Sequence, residues 1–599
     1  MSEYSAPIAD MQFVLEHVAG LADVNALPGM ADASADLVAE ILAQSARFSS
    51  QVLSPLNRPG DLEGSRLEQG VVKTPRGFRE AYRQFTEGGW NGLQFDPAIG
   101  GQGLPRLVGT PLMEMWNSAN LSFSLCPLLT TGAIEALLLR GSAAQQAFYL
   151  PRMVSGEWTG TMNLTEPQAG SDLGLLKTRA VAHGDHYRLF GQKIFITYGD
   201  HDLAENIIHM VLARIDGAPP GVRGISLFIV PKILVNADGS LGERNDLRCL
   251  SLEHKLGIHA SPTAIMQYGE REGAIGWLVG EENRGLETMF IMMNAARFAV
   301  GVEGLGMGER AYQRARDYAR ERIQSRDLSG GAESVPIIRH PDVRRMLMDM
   351  KSRVEAMRAL AYVVAAALDR AHLHPHADER ARSQAFVDLM IPVVKGWSTE
   401  TGQEVASIAV QVHGGMGFIE ETGAAQYYRD ARITTIYEGT TGIQANDLLG
   451  RKLLRDGALA MRGVIAEIGE CVGALALIEG ESAGNCAVIS RELGVAVSHL
   501  STTLDWLIAT AASDLRSAYA GAVPLLHLVG LVCGAWQLGR SARAAAGLLA
   551  AGDGDAEFLR AKITTARYFA EHALTRSASL QVEICRGAES VLALPETAF

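Results

Sequence analysis

The sequence predicts an α+β protein that is mainly α, with a small β domain set between helical blocks. Three observations predict it. Apolar residues recur at helical spacing near the start, where Met11, Val14, Leu15 and Val18 fall on one face. Over residues 161–276 the apolar period drops toward two. From Leu286 onward long helical patterns resume, and an alanine- and leucine-rich tail follows Gly450.

Taken in order, residues 1–60 read as an amphipathic helical head, and Asn57-Arg58-Pro59-Gly60-Asp61 reads as a linker by composition. Residues 61–160 form an N-terminal α domain with a glycine-rich loop, Ile99-Gly100-Gly101-Gln102-Gly103. The middle β domain, residues 161–275, contains Tyr187-Arg188-Leu189-Phe190 after the turn His183-Gly184-Asp185-His186. Ile207-Ile208-His209-Met210-Val211-Leu212 and Ile225-Ser226-Leu227-Phe228-Ile229-Val230 are further strands there, the second ended by Pro231. In residues 276–455, Leu286, Met289, Phe290, Met293 and Arg297 share one helix face, and Val405, Ile408, Ala409 and Val412 share another. Residues 456–599 make an additional helical domain. Its almost uncharged run, residues 520–538, holds Pro524, His527, three glycines and Gln537, and so reads as a buried helix rather than a membrane span.

A chain of 599 residues with 47% hydrophobic content can build several cores. Its 54 basic and 67 acidic residues leave a net charge of −13, which argues against nucleic-acid binding. The six cysteines form no CxxC pair and none has metal-ligand spacing with histidine, so they read as reduced thiols of a cytoplasmic protein without a structural metal. Glu3 and Asp10 interrupt the start, and no signal peptide is expected.

Chemistry concentrates in five segments. Ile433-Thr434-Thr435-Ile436-Tyr437-Glu438-Gly439-Thr440-Thr441-Gly442-Ile443-Gln444 sets Glu438 between a strand-like run and a helix start, with capping-box spacing from Thr441 to Gln444. Desolvation by Ile436 and Tyr437 raises the proton affinity of such a carboxylate toward that of a general base, while the helix N-terminus opposes the rise. Thr161-Met162-Asn163-Leu164-Thr165-Glu166-Pro167-Gln168-Ala169-Gly170-Ser171-Asp172 is either a ligand-binding loop or an ordinary turn between domains. Lys193-Ile194-Phe195-Ile196-Thr197-Tyr198-Gly199 is a strand with Phe195 and Thr197 on one side, placed for a flat cofactor or for nothing special. Arg320-Glu321-Arg322-Ile323-Gln324-Ser325-Arg326 ends a helix with three arginines, suited to a pyrophosphate or simply to the helix C-terminus. Gln411-Val412-His413-Gly414-Gly415-Met416-Gly417 ends another helix in glycines, without the strand-to-helix context of a dinucleotide fingerprint or the lysine of a P-loop.

In this order, these segments resemble the acyl-CoA dehydrogenase family over residues 74–449. The most specific pieces are Thr165-Glu166-Pro167-Gln168-Ala169-Gly170-Ser171-Asp172, the Gln411 to Gly417 loop, and Arg429-Asp430 leading into Ile436-Tyr437-Glu438-Gly439-Thr440. The added head and tail look like the large bacterial subgroup, which includes fatty acyl-CoA and 3-methylmercaptopropionyl-CoA dehydrogenases. The resemblance implies a helical domain, a β domain and a C-terminal four-helix bundle, with FAD bound between the last two. It implies that Glu438 takes the α-proton of an acyl-CoA while flavin N5 accepts the β-hydride, giving a trans-2-enoyl-CoA. The Glu438 N–H and a ribityl hydroxyl would hold the thioester carbonyl.

By the same resemblance, Leu164, Thr165, Phe195 and Thr197 are flavin-ring contacts. Ser171 lies near the flavin phosphates and the CoA arm, and Thr440 is a further cofactor contact. Arg322 and Gln324 reach the FAD pyrophosphate, with Gln411 and Gly415 contributed by the partner subunit, which implies a homodimer. Asn294, Arg297, Tyr437 and Gly439 are substrate-side positions. Electron-transferring flavoprotein is the implied electron acceptor, and fatty-acid β-oxidation the implied setting. Phe195 stands where many members have tryptophan, Met162 where an aromatic is common, and Asn294 where an aspartate often contacts CoA. Ala296 removes the alternative base that some members carry just before Arg297. An oxygen-using acyl-CoA oxidase and a specialised 3-methylmercaptopropionyl-CoA dehydrogenase are the alternative activities.

Overall fold

The period-two region folds as an eight-stranded sheet in a computed structural model that describes residues 4–599. Its strands are β1 Trp158–Asn163, β2 Arg179–His183, β3 His186–Thr197, β4 Asn206–Ile215, β5 Ile225–Pro231, β6 Leu247–Leu252, β7 Thr263–Tyr268 and β8 Ala274–Val279. Their order is β6-β7-β3-β8-β5-β4-β1, with β2 set against β3 and β4. β1 and β4 run parallel, with Thr161 opposite His209, while β4 and β5 run antiparallel, with His209 opposite Val230. β4 is buried from Asn206 to Ala213. It packs Ile208, Met210 and Leu212 against Ala133, Leu137, Met153 and Met292 on one face, and Val211 and Ala213 against Phe228, Val230 and Met266 on the other. Such two-sided burial explains why its sequence is nearly continuously apolar rather than alternating.

The chain divides into two compact units. Residues 47–104 and 119–299 form a sheet unit; residues up to 46, 105–118 and 300–599 form a helical unit. One division falls at a break in the helical stretch Arg106–Arg140, where Asn120 takes an extended backbone (φ −161°, ψ 89°). Asn120 Oδ1 accepts from the Phe123 N–H at 3.1 Å and restarts the helix.

In the helical unit, the long helices Pro341–Leu373 and Ala377–His413 pack against each other and against the part of Gly285–Glu321 that follows Val300. Glycines set the approach: a Cβ on Gly304 would stand 2.7 Å from the Ser398 carbonyl, and one on Gly402 only 2.2 Å from the Gly304 carbonyl. The fourth helix is short, Thr441–Asn446, and continues as a π-helical turn to Leu453. The tail supplies Leu459–Ala476, Ala483–Ala511, Ala522–Ala551, Ala556–Tyr568 and Arg576–Arg586. Trp397 docks into Ala522–Ala551, where a Cβ on Gly530 would lie 2.1 Å from its ring.

Head, bundle and tail are also joined by a buried charge network. Arg358 meets Asp10, Glu114 and Glu309, each at 2.6 Å, and Lys562 meets Asp10 at 2.5 Å and Glu355 at 2.7 Å. Burial works against the Asp10 charge, but Lys562 and Arg358 prevail and hold its carboxyl well below the usual range.

Met11, Val14, Leu15 and Val18 are all buried, as their spacing predicts. Residues 57–61 are not a linker; they lie within the helix Ser54–Glu63. Gly60 is buried, and a Cβ there would meet Phe78 at 2.8 Å, so close packing overrides the turn-like composition. In Gly285–Glu321, the buried face is Met289, Met292 and Ala296, while Leu286 and Met293 are only half-buried. The helices Arg106–Arg140 and Ala522–Ala551 are long and apolar enough to cross a membrane, and 83% of the apolar window of each is buried in the fold. Five cysteines are buried, Cys585 is half-buried and all six are free thiols. Among the described residues, no cluster of three or more His, Cys, Asp or Glu side chains is arranged to hold a metal.

Candidate functional site

Glu438 sits on a short turn, as expected, but the run before it is a 3-10 turn and not a strand. Residues Arg432–Thr435 form a 3-10 turn in which the Thr434 hydroxyl donates to the Ala431 carbonyl at 2.7 Å and the Thr435 hydroxyl to the Arg432 carbonyl at 3.2 Å. These local bonds compete with the extended form that β-branched residues favour. The helix N-cap is Thr440, whose Oγ1 accepts from the Ile443 N–H at 3.3 Å. Thr441 does not cap; its hydroxyl donates to Glu400 at 2.5 Å. Gln444 is buried and gives its amide N–H groups to the carbonyls of Glu438 and Gly439, at 3.1 and 3.2 Å.

Glu438 and Gly439 both take left-handed backbone, with φ of 55° and 88°. For glutamate this costs about 1–2 kcal/mol, and such strain persists only where neighbours enforce it. Gln444 does so from one side. Tyr437 does so from the other, its hydroxyl donating to the buried Glu303 carboxyl. Ile436 is 46% exposed, so the desolvating wall expected from it is absent; the buried Glu303 carboxyl interacts electrostatically with the half-buried Glu438.

No motif marks Glu303. Its signal in the sequence is a lone carboxylate within Val300-Gly301-Val302-Glu303-Gly304-Leu305-Gly306, a run of small and apolar residues at a close helix crossing.

The sheet unit gathers Leu164, Thr165, Phe195 and Thr197. Lys193 Nζ donates to the Leu164 carbonyl at 2.9 Å, and the Ile194 N–H donates to the Thr165 carbonyl at 2.9 Å. The Thr161 hydroxyl donates to the Thr197 carbonyl at 2.7 Å. A register shift between β7 and β3 interrupts strand alternation here, and Phe195 takes φ 60° with 59% of its surface exposed. An exposed ring on a strained bulge, beside Leu164 and Thr165, fits a flat apolar ring system such as flavin.

Glu166 explains much of the loop that follows. Its carboxylate pairs with the fully buried Lys193 at 2.8 Å and accepts from the Lys177 and Thr178 N–H groups at 2.6 and 3.0 Å. Burial raises its proton affinity, but Lys193 and these bonds overcome it and hold the carboxyl down to about 2. Ser171 lies exposed just beyond, where Asp172 caps a 3-10 turn through the Gly174 N–H at 2.9 Å. In the same unit, Arg297 is buried and Asn294 exposed, with Arg297 Nη1 3.5 Å from Asn294 Oδ1.

In the helical unit, Arg322 follows the helix that ends at Glu321, and Gln324 lies in a short hairpin strand, Ile323–Arg326, rather than in that helix. Both are exposed, and Arg322 donates to Gln324 at 3.2 Å. This cation–amide pair fits a pyrophosphate. Gln411 and Gly415 are exposed at the end of Ala377–His413, where the chain enters a 3-10 turn, Gly414–Phe418. Arg429 braces that segment through a two-pronged bond to Glu420 at 3.0 and 3.1 Å.

Residues 61–157 match the model of the acyl-CoA dehydrogenase N-terminal domain, residues 161–269 the middle domain, and residues 283–453 the C-terminal domain. Residues 464–595 match an acetyl-CoA dehydrogenase C-terminal-like domain. The chain is 52% identical to 3-methylmercaptopropionyl-CoA dehydrogenase of Ruegeria pomeroyi, covering 98% of this chain and 99% of that protein. It is 34% identical to the broad-specificity linear acyl-CoA dehydrogenase FadE5 of Mycobacterium tuberculosis, over the full length of both. Among solved structures, an acyl-CoA dehydrogenase from Bacillus anthracis complexed with FAD superposes with a TM-score of 0.73 at 22% identity, covering 96% of this chain and 91% of that one.

Proposed function

The chain belongs to the acyl-CoA dehydrogenase family, and from that premise we propose that it oxidises the Cα–Cβ bond of an acyl-CoA thioester to the trans-2-enoyl-CoA, with Glu438 as the base. The observation that carries this reading is the turn itself. A glutamate held in strained left-handed backbone, pinned by Gln444 and by the Tyr437–Glu303 bond, is a carboxylate aimed at a fixed point.

Glu438 takes the α-proton onto its carboxylate, and its backbone N–H holds the thioester carbonyl oxygen as negative charge builds there. Tyr437 and Gly439 shape the acyl side of the turn, and Asn294 and Arg297 are substrate-side positions. FAD, when bound, supplies the acceptor for the β-hydride. Leu164, Thr165, Phe195 and Thr197 would hold its ring and exclude water from it. Arg322 and Gln324 would hold its pyrophosphate, with Gln411 and Gly415 of a second subunit, and Ser171 and Thr440 would add polar contacts.

The exposed Met416, Phe418 and Ile419 beside Gly415 support a homodimer. The enzyme is proposed to be cytoplasmic, to serve fatty-acid β-oxidation and to pass electrons to electron-transferring flavoprotein. The five-part division at residues 60, 160, 275 and 455 is kept as the proposed domain scheme.

The substrate test is anaerobic titration of the purified flavoprotein with saturated acyl-CoAs, including 3-methylmercaptopropionyl-CoA and butyryl-CoA. Bleaching of the flavin by a subset identifies the acyl class. No bleaching by any of them contradicts the reading, and rapid oxygen consumption during turnover favours an oxidase.

A further inference from the structure

One buried carboxyl is not used by the chemistry above. Glu303 has no exposed surface. Its Oε2 accepts the Tyr437 hydroxyl, and its Oε1 has no hydrogen-bond partner among the described residues. The helix that carries it packs closely against Ala377–His413 on either side of it. A Cβ on Gly301 would stand 2.5 Å from Val394, and one on Gly304 would stand 2.7 Å from both Ser398 and Thr399. A buried carboxyl in such a place is destabilising relative to an apolar residue of the same size. Packing alone would be served better by leucine or methionine.

The titratable groups that act on it come from two elements: Tyr437 and Glu438 from the turn, and Lys395 from the helix Ala377–His413. Asp430, on the helix Ala424–Ala431, acts on Tyr437 in turn.

We propose that Glu303 is a positioning residue for α-proton transfer: through the Tyr437 hydroxyl it fixes the turn that carries Glu438, and its carboxyl is electrostatically coupled to that of Glu438. This rests on reading Glu438 as the base. Burial pushes the Glu303 carboxyl up to about 8; the Tyr437 hydroxyl opposes this, Glu438 adds to it and Lys395 opposes it. At neutral pH Glu303 is therefore protonated, and Glu438 is the charged member of the pair. Above about 8 a second negative charge forms beside Glu438. That charge raises the proton affinity of Glu438 and repels the negative charge developing on the thioester.

The test is the rate of flavin reduction against pH, by anaerobic stopped flow on the FAD-loaded enzyme with a saturating acyl-CoA. Wild type should show an inflection near pH 8. Glu303→Gln, which keeps shape and removes the ionisation, should lose that inflection while its rate at pH 7 stays within about tenfold of wild type. Glu303→Asp should restore a pH-dependent inflection. Tyr437→Phe removes a bond that favours the ionised form, so it should move the inflection to higher pH and reduce kcat more than it raises KM. A Glu303→Gln profile that superimposes on wild type overturns the proposal. Should that variant fail to retain flavin, an unmoved inflection in Tyr437→Phe overturns it equally. Glu438→Gln measured in parallel separates the two readings. If it still reduces flavin at near wild-type rate, the base assignment has failed; if it is inactive while Glu303→Gln matches wild type, only the coupling has failed.

Discussion

Glu166 in the sheet unit and Glu303 in the helical unit are both buried carboxyls on the same kind of chain, yet their surroundings drive them in opposite directions. Glu166 is met by the buried Lys193 ammonium and by backbone N–H groups, and it is held down to about 2. Glu303 is pushed up to about 8 by burial, which one phenol hydroxyl and Lys395 oppose and Glu438 reinforces. Burial raises the proton affinity of both; what differs is the partner. The first arrangement fixes a loop and holds an ion pair at neutral pH, although burial brings Lys193 down to about 8. The second leaves a proton near the residue proposed to do proton chemistry. Perturbed groups of the second kind mark functional sites more often than satisfied ion pairs do.

The largest stability effect should come from breaking the Glu166 pair from the lysine side. Lys193→Met leaves a buried carboxylate without its cation and should cost about 3–5 kcal/mol by denaturant unfolding. Lys193→Met combined with Glu166→Gln should recover part of that loss. Equal destabilisation in single and double variants would contradict the pairing.

The pH dependence of stability should separate the two carboxyls by sign. Glu166, held below its unfolded value, contributes stability above about pH 4.5 that is lost as pH falls toward about 2. Glu303, held above its unfolded value, contributes stability below about pH 4.5 that is lost as pH rises through about 8. Melting temperatures across this range should therefore fall less on the alkaline side for Glu303→Gln than for wild type. Glu166→Gln should flatten the acid side, and by leaving the buried Lys193 without its counter-charge it should also lower the pH at which Lys193 loses its proton.

The smallest effect belongs to the cap beside Glu438. Thr440→Ala removes the Oγ1 bond to Ile443 and should cost about 1 kcal/mol, with Thr440→Ser nearly neutral. A matching loss of FAD affinity in Thr440→Ala alone would add support for its proposed cofactor contact.

The comparison also shows what a sequence can carry. Local periods were legible: Met11, Val14, Leu15 and Val18 are all buried, and the strand runs at 207–212 and 225–230 lie within β4 and β5. Composition misled at residues 57–61, because buried Gly60 packs against Phe78 and the helix Ser54–Glu63 continues through Pro59. It misled again at Ile433-Thr434-Thr435, where threonine hydroxyls close a 3-10 turn. The motif residues Leu164 and Thr165 are tied to the Phe195 strand by Lys193 Nζ and the Ile194 N–H, and Thr197 is held by the Thr161 hydroxyl, bonds the sequence pattern does not show. Glu303 shows in the sequence only as a lone carboxylate in a small, apolar run, since its meaning depends on a bond to Tyr437, 134 positions away.

The most direct test of the central claim is anaerobic stopped-flow reduction of the flavin by acyl-CoA in wild type and in Glu438→Gln. The account predicts that Glu438→Gln binds FAD and acyl-CoA normally and reduces its flavin slower by several orders of magnitude, because no other group on the turn can take the α-proton. Reduction at near wild-type rate in that variant would contradict it.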